Sequence, residues 1–279
     1  MQIRLTAVPA LASLLLGLML AAPAAVAHEF WMSSLPGPAG SARLQLLVGE
    51  YFEGSRVGFT REHAAAMRHY TGAGVEDLLP RLPRDGMLEA LALPALRPGM
   101  HLIAYDSHPS LITLPAGRFH AYLHDEGLDA IVRWREEHGL ADRPGRERFR
   151  RHVKHLICVG DAGAMNSQVH AVGTGQRLEI LPRFQAGDLR PGADLPLAVS
   201  FDGRPLAGAL LKAWHRRSGQ TTLIRAHTDG QGQATIDLPY AGEWMFSVVH
   251  MIPAEGTADA DWDSFWGNLT LTVREGGCR

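Results

Sequence analysis

Short strand-like segments follow one another through the last part of the chain at about ten-residue spacing. Seven of them are apolar or alternate apolar with polar residues, and they cover residues 176–181, 195–201, 209–214, 221–226, 233–238, 243–250 and 268–273. Asp-Gly pairs at 202–203 and 229–230 favour tight turns between neighbouring segments. Many short strands with turn residues at this spacing are typical of a β-sandwich, which we predict for residues 159–279.

The beginning of the chain has the pattern of a secretory signal peptide. Arg4 supplies a positive charge, residues 11–20 are apolar, and Ala25-Val26-Ala27 is an A-x-A cleavage site. No later apolar run reaches the length of a membrane span, so we expect no membrane-spanning segment after signal removal. The net charge of −2 and the lack of a basic stripe argue against a nucleic-acid partner. We therefore expect an exported, periplasmic protein.

The middle of the chain carries weaker signals for strands and stronger ones for helices. Residues 28–117 hold strand candidates at 44–48, 99–105 and 111–114. Residues 118–158 change character, because apolar residues recur there at helical spacing.

Two glycines and one basic segment shape the predicted helical insertion. Gly127 is expected to break the first helical pattern and Gly139 to end it. Residues 146–157 follow Pro144-Gly145, and their spacing predicts a basic amphipathic helix. Its basic face is expected to lie in solvent.

Cleavage after Ala27 would make His28 the first residue of the mature protein. The α-amine and the imidazole Nδ1 of an N-terminal histidine can chelate one metal ion. With a second imidazole they form a histidine brace, which suits Cu(II) and, more weakly, Ni(II). The alternative is that a histidine follows the cleavage site by chance.

Three further residues are candidates to complete such a metal site. His250 ends an apolar strand and is the preferred second imidazole, with His101 as the third candidate. Asp261, in an acidic loop, would supply an axial carboxylate. Each has a simpler alternative, namely a half-buried histidine bonded to the backbone or a solvated loop. Two histidine pairs are weaker candidates, and they are His120 with His124 and His152 with His155.

Catalytic templates are missing from the sequence. No G-x-S-x-G, P-loop or H-E-x-x-H arrangement is present. Cys158 and Cys278 either form a disulfide or remain free, and the glycine-rich tail slightly favours free thiols. A copper-dependent oxidative enzyme remains an alternative if Trp262, Phe265 and Trp266 form an exposed aromatic surface. The sequence favours a binding protein over an enzyme.

The C-terminal segment resembles the transthyretin-like and carboxypeptidase-regulatory-like sandwich modules. The resemblance rests on three motifs, which are Gly203/Pro205/Leu206/Gly208/Ala209, Thr228/Asp229/Gly232 and Gly242/Trp244. It implies a spacer or partner-binding role as a metal-free alternative. We predict a mainly β fold in which two immunoglobulin- or transthyretin-like sandwich regions flank the helical insertion.

Over most of residues 25–275 the chain resembles an exported family of unknown function once labelled NikM-like. The matching segments are AHEFW, FHAYLHDEGLDAIV, RERFRRHVKHL, RLEILPRF and DWDSFWGNLTLTV. The resemblance implies a link to nickel or cobalt uptake and a membrane transport component as partner. We therefore expect a periplasmic protein that binds copper, nickel or cobalt for uptake or trafficking.

Overall fold

A computed structural model describes residues 29–160, 168–185 and 188–277. The fold is mainly β, with 54% of residues in strands and 12% in helices. This confirms the predicted fold class. No helix among these residues is long and apolar enough to cross a membrane.

A nine-stranded sheet forms the centre of the described structure. The strands are β4 (Ala64–Thr71), β5 (Gly74–Asp77), β7 (Gly99–Ser107), β8 (Ser110–Leu114), β9 (Gly145–Val159), β13 (Leu210–Arg217), β14 (Gln220–His227), β16 (Gly242–Pro253) and β17 (Trp262–Val273). Their order across the sheet is β14-β13-β16-β17-β9-β7-β4-β5, and β8 also pairs with β9. The parallel β17–β9 pair joins strands that are more than 100 residues apart in the chain. The predicted division of the chain at residues 117 and 158 stays a prediction.

Two smaller sheets and two helices cover the central sheet. One sheet contains β1 (Glu29–Pro36), β2 (Ala42–Glu50), β3 (Glu53–Val57) and β6 (Leu91–Leu93). The other contains β10 (Leu178–Pro182), β11 (Ala193–Phe201), β12 (Arg204–Pro205) and β15 (Gln233–Leu238). The helices are α1 (Ala116–Asp125) and α2 (Asp129–Glu137), and 3-10 turns span Pro38–Gly40, Leu79–Arg81 and Gln168–Ala171.

Alternation along β16 shows which layer covers each face of the central sheet. Trp244, Phe246 and Val248 pack into one core with residues of β10, β11 and β15, and we call this side face A. Val249 and Met251 lie on the other side, face B, against α1 and α2. The sheet containing β1 also covers face B, next to the helices. Successive residues of β16 therefore pack against different layers of the fold.

The two helices form as the glycines predict. Gly127 (φ 69°) separates α1 from α2, and Gly139 (φ 65°) follows the end of α2. Both adopt the left-handed conformation that glycine tolerates without a Cβ penalty.

The helix predicted over residues 146–157 is wrong, because this segment is strand β9. Phe149, Val153 and Ile157 are four residues apart, and this spacing fits one face of a strand as well as one face of a helix. β9 pairs with β17 on one side and with β7 and β8 on the other, which satisfies its backbone. Its basic side chains are also paired, since Arg148 and Arg150 contact Asp263 at 2.6 and 3.1 Å.

Cys158 is disulfide-bonded, so the preference for a free thiol there is wrong. Cys278 lies outside the described residues.

Candidate functional site

Buried polar side chains gather on face B beneath β1, and we call them the polar cluster. They come from β1, the residue after α1, β13, β16 and β17, and each is at most 5% exposed: Glu29, Glu126, Lys212, Ser247 and Asn268. Burying polar groups is costly unless they pair with one another. The folding stability of this region therefore depends on how well these five side chains pair.

Lys212 joins the two carboxylates of the polar cluster. Its Nζ lies 2.8 Å from Glu29 Oε1 and 2.6 Å from Glu126 Oε2. Ser247 donates a further hydrogen bond of 2.9 Å to Glu29 Oε1. Burial alone would lower the pKa of Lys212, but Glu29 and Glu126 outweigh burial and raise it. Lys212 is therefore a charged ammonium held between two acids.

Glu126 is the titratable member of the polar cluster near neutral pH. Burial raises its pKa to about 7, Lys212 opposes that rise, and the negative charge of Glu29 adds to it. A second cation near Glu126 would favour the ionised carboxylate.

Asn268 is an unsatisfied member of the polar cluster. It lies on β17, opposite Ser247 of β16 and Val153 of β9. Neither its Oδ1 nor its Nδ2 has a hydrogen-bond partner among the described residues, although both atoms are buried. A buried polar atom without a partner costs about 1–3 kcal/mol. The carboxamide is thus free to accept a bond from, or donate one to, a bound group.

A second buried group adjoins the polar cluster on face B. Tyr122 donates to Glu147 Oε1 at 3.3 Å, and Ser264 donates to the same oxygen. Burial raises the pKa of Glu147, while the bond from Ser264 and the charge of Arg151 lower it. The Arg151 guanidinium stacks 4.3 Å above the Trp266 ring.

The charge of face B is set by three buried carboxyls and two buried bases. Arg151 interacts electrostatically with all three buried carboxylates, those of Glu29, Glu126 and Glu147. Among the described residues these three acids face two bases, Arg151 and Lys212. The pKa of Glu126 is about 7 and burial raises that of Glu147, so the net charge of the group depends on whether these two carboxyls are ionised. A cation bound close to them would favour their ionised forms.

The predicted metal ligands that the structure describes, His250, His101 and Asp261, lie apart from one another. His28 is outside the described residues. His250 lies on face A, where its ring centroid is 4.5 Å from that of Phe201 and burial lowers its pKa. Glu29 contacts Ser247 on face B. The residue that follows His28 is therefore separated from His250 by the central sheet.

His101 and Asp261 lie at opposite ends of β9. His101 is near Ile157, its partner across the sheet, whereas Asp261 forms a bidentate ion pair with Arg146, at 2.5 and 3.1 Å. At about 3.3 Å per residue, Arg146 and Ile157 are about 36 Å apart along the strand. Both ring nitrogens of His101 are also engaged, one by Arg97 O at 2.8 Å and one by His69 at 2.9 Å.

The two weaker histidine pairs differ in whether their members lie on the same side of their element. His120 and His124 are neighbours on α1, with ring centroids 4.7 Å apart. His152 and His155 are on opposite faces of β9, because His152 bonds Asp106 and His155 bonds Thr270. The predicted shared face of this second pair depended on the helix and is wrong.

Two broader expectations concern metals and aromatic surfaces. Across the described ranges, no three His, Cys, Asp or Glu side chains are grouped closely enough to hold a metal ion. Trp262, Phe265 and Trp266 are at most 5% exposed, so they do not form a surface aromatic platform.

Sequence reasoning missed the polar cluster because its members are far apart in the chain. Glu29 and Ser247, for example, are 218 residues apart. One local signal was present, since Lys212 interrupts the apolar run LLKAW of β13. A lysine there must either snorkel to solvent or find a buried acid.

Comparison with known proteins adds a family but no activity. A family model described as a domain of unknown function, DUF4198, matches residues 25–252. No curated protein matches the chain. One similar solved structure is a tetra-tandem repeat from the extending region of a large adhesion protein, at 10% identity with a TM-score of 0.23. The match covers 89% of this chain and 50% of that chain, so this chain spans about half the length of that structure.

Proposed function

The chain belongs to the DUF4198 family, whose description assigns no activity, and we propose from the polar cluster that it binds a transition-metal ion at a processed N-terminus. In this proposal the protein is exported and carries copper, nickel or cobalt for uptake or trafficking. It holds the ion without turnover.

The observation that carries the proposal is the anchoring of Glu29. Its buried carboxylate is fixed by Lys212 and Ser247. Consecutive Cα atoms are about 3.8 Å apart, so a terminus created at His28 begins one residue from this anchor. In this proposal the amine and imidazole start one residue from the buried carboxylate of Glu29.

The chemistry of the neighbouring groups fits a cation. The α-amine and imidazole of His28 would supply nitrogen ligands, as Cu(II) and Ni(II) prefer. In this proposal the oxygen atoms come from Glu126, which is ion-paired with Lys212, and from the unsatisfied Asn268. We propose a narrower ligand set than the sequence suggested, because Glu29 and His250 lie on opposite faces and because His101 and Asp261 are engaged by other groups.

The direct test is calorimetric titration of the mature protein with Cu(II) and with Ni(II). The mature chain starting at His28 is compared with the same chain carrying an extra N-terminal Met. We expect one tight site in the first protein and its loss in the second, because the added peptide bond removes the free amine. Equal affinity in both proteins would refute the proposal.

Two variants separate the polar cluster from the residues on face A. Glu126→Gln is expected to weaken binding, because it removes one negative charge beside the site. His250→Gln is the matched control and should leave the affinity unchanged. Binding should also weaken as the pH falls below about 8 and more steeply below about 6.5, because first the amine and then the imidazole becomes protonated.

A further inference from the structure

Another pair of histidines, His69 and His101, lies in a groove at the edge of the central sheet. His69 of β4 and His101 of β7 stack with ring centroids 5.1 Å apart. The groove has a volume of about 900 Å³ and is bounded by the turn at residues 71–75 and the loop at residues 94–99. It is separate from the polar cluster, because β4 is three strands from β17, the nearest central strand of that cluster, or about 14 Å at about 4.8 Å per strand.

The hydrogen bonds fix the tautomers of both rings when they are neutral. His101 Nε2 lies 2.8 Å from Arg97 O, which can only accept, so this nitrogen carries the proton. His101 Nδ1 is then an acceptor and receives the Nε2–H of His69 at 2.9 Å. His69 Nδ1 is consequently left with an unprotonated lone pair.

That lone pair faces a carboxylate. His69 Nδ1 is 3.8 Å from Glu76 Oε2, and both side chains line the groove. Two acceptors opposite each other form no hydrogen bond unless a proton or another cation lies between them. Burial, aided by His101, lowers the pKa of His69 to about 4, so the ring is neutral at pH 7.

The separation of the two acceptors suits an ion between them. Zinc-type ions bind imidazole nitrogen and carboxylate oxygen at about 2.0–2.2 Å each in tetrahedral geometry, so two ligand atoms of one ion lie about 3.4 Å apart. The 3.8 Å found here must therefore shorten slightly on binding. The Glu76 side chain is 54% exposed and has room to adjust. Its other oxygen lies 3.7 Å from Arg81 Nη1, which limits the affinity by repulsion.

We propose that His69 Nδ1 and the Glu76 carboxylate form a binding site for a divalent ion of the zinc type, with water completing the coordination. His101 acts as a positioning residue. It fixes the tautomer of His69 through a bond to the nitrogen that does not bind metal, an arrangement typical of ligating histidines. The site is independent of the proposed N-terminal chelate.

The test is a Zn²⁺ titration followed by ¹⁵N NMR of the histidine side chains. It uses the mature chain with an extra N-terminal Met, so the terminal chelate cannot form and the outcome does not depend on it. Without zinc, His69 should show the Nε2–H tautomer. With zinc, its Nδ1 resonance should shift in a saturable manner. The pair His120 and His124 on α1 has resonances of its own and is followed separately.

Variants at the groove make the result decisive. Glu76→Gln, at an exposed position, should weaken zinc binding at His69 by roughly tenfold or more, and His101→Gln should weaken it by roughly 10–100-fold. His227→Gln, an exposed histidine at the opposite edge of the sheet, is the matched control and should change nothing. An unshifted His69 resonance, or equal affinity in the Glu76→Gln protein, would overturn the proposal.

Discussion

At the scale of single residues, Lys212 is the residue on which the polar cluster depends. It is 5% exposed and contacts two buried carboxylates, those of Glu29 and Glu126. Removing one partner of a buried ionic group leaves uncompensated charge, which costs far more than the intact group contributes.

We therefore expect Lys212→Met to lower the free energy of unfolding by about 3–5 kcal/mol. Urea denaturation at pH 7 measures this loss. Adding Glu29→Gln and Glu126→Gln should recover part of it, because no unpaired carboxylate then remains. A Lys212→Met protein as stable as the parent would show that the cluster is hydrated rather than sealed.

His155 is a second buried residue, and its pKa lies well below the ordinary value for histidine. Thr270 donates to Met32 O and accepts His155 Nδ1–H, and Ser34 lies 2.9 Å from His155 Nε2. Burial lowers the pKa of His155 to about 4. Such a weak base is poorly suited to activate the Ser34 hydroxyl at neutral pH, so we interpret this chain of bonds as structural.

The lowered pKa of His155 predicts how stability depends on pH. The unfolded chain binds this proton near pH 6.5 and the folded chain only near pH 4, so stability is lost as the pH falls through that window. At about 1.4 kcal/mol per pH unit, the loss is about 3 kcal/mol. Unfolding curves at pH 7 and pH 4 measure it, and His155→Gln should remove this part of the slope. His227→Gln should keep the full slope, and an unchanged slope in His155→Gln would contradict the assignment.

At the scale of elements, β9 shows where sequence reasoning reaches its limit. Helices α1 and α2 were predictable because Gly127 and Gly139 act locally. β9 was not, because four-residue spacing fits either structure and the choice depends on pairing with β17 and β7. The polar cluster was unpredictable for a related reason, since each member comes from a different, distant element.

The start of β9 also fixes how α1 packs. A Cβ at Gly145 would lie 2.2 Å from Phe119 Cγ, so the helix sits directly on the glycine. We expect Gly145→Ala to destabilise the protein by about 1–3 kcal/mol through overpacking. Gly117→Ala is the matched control within α1, because a Cβ there meets nothing within 4 Å.

Thermal unfolding of these two variants measures both effects. Gly117→Ala should stabilise the protein by up to about 1 kcal/mol, since alanine is the better helix former. Equal effects of the two substitutions would mean that α1 does not rest on the start of β9.

At the scale of the whole molecule, the central sheet separates two environments. Face A holds His250 among aromatic side chains, whereas face B holds the polar cluster and the start of β1. The sequence predicted the mainly β fold, because strand patterning is local. It did not predict which face each histidine would occupy, because a shift of one residue in strand register moves every side chain to the other face of the sheet.

The most direct test of the N-terminal site is the electron paramagnetic resonance spectrum of the protein with one equivalent of Cu(II). For the mature chain starting at His28, we predict nitrogen couplings from an amine and an imidazole, together with a spectrum that changes in Glu126→Gln but not in His250→Gln. The same spectrum from a chain with an extra N-terminal Met would contradict the account, because that chain has no free amine at His28.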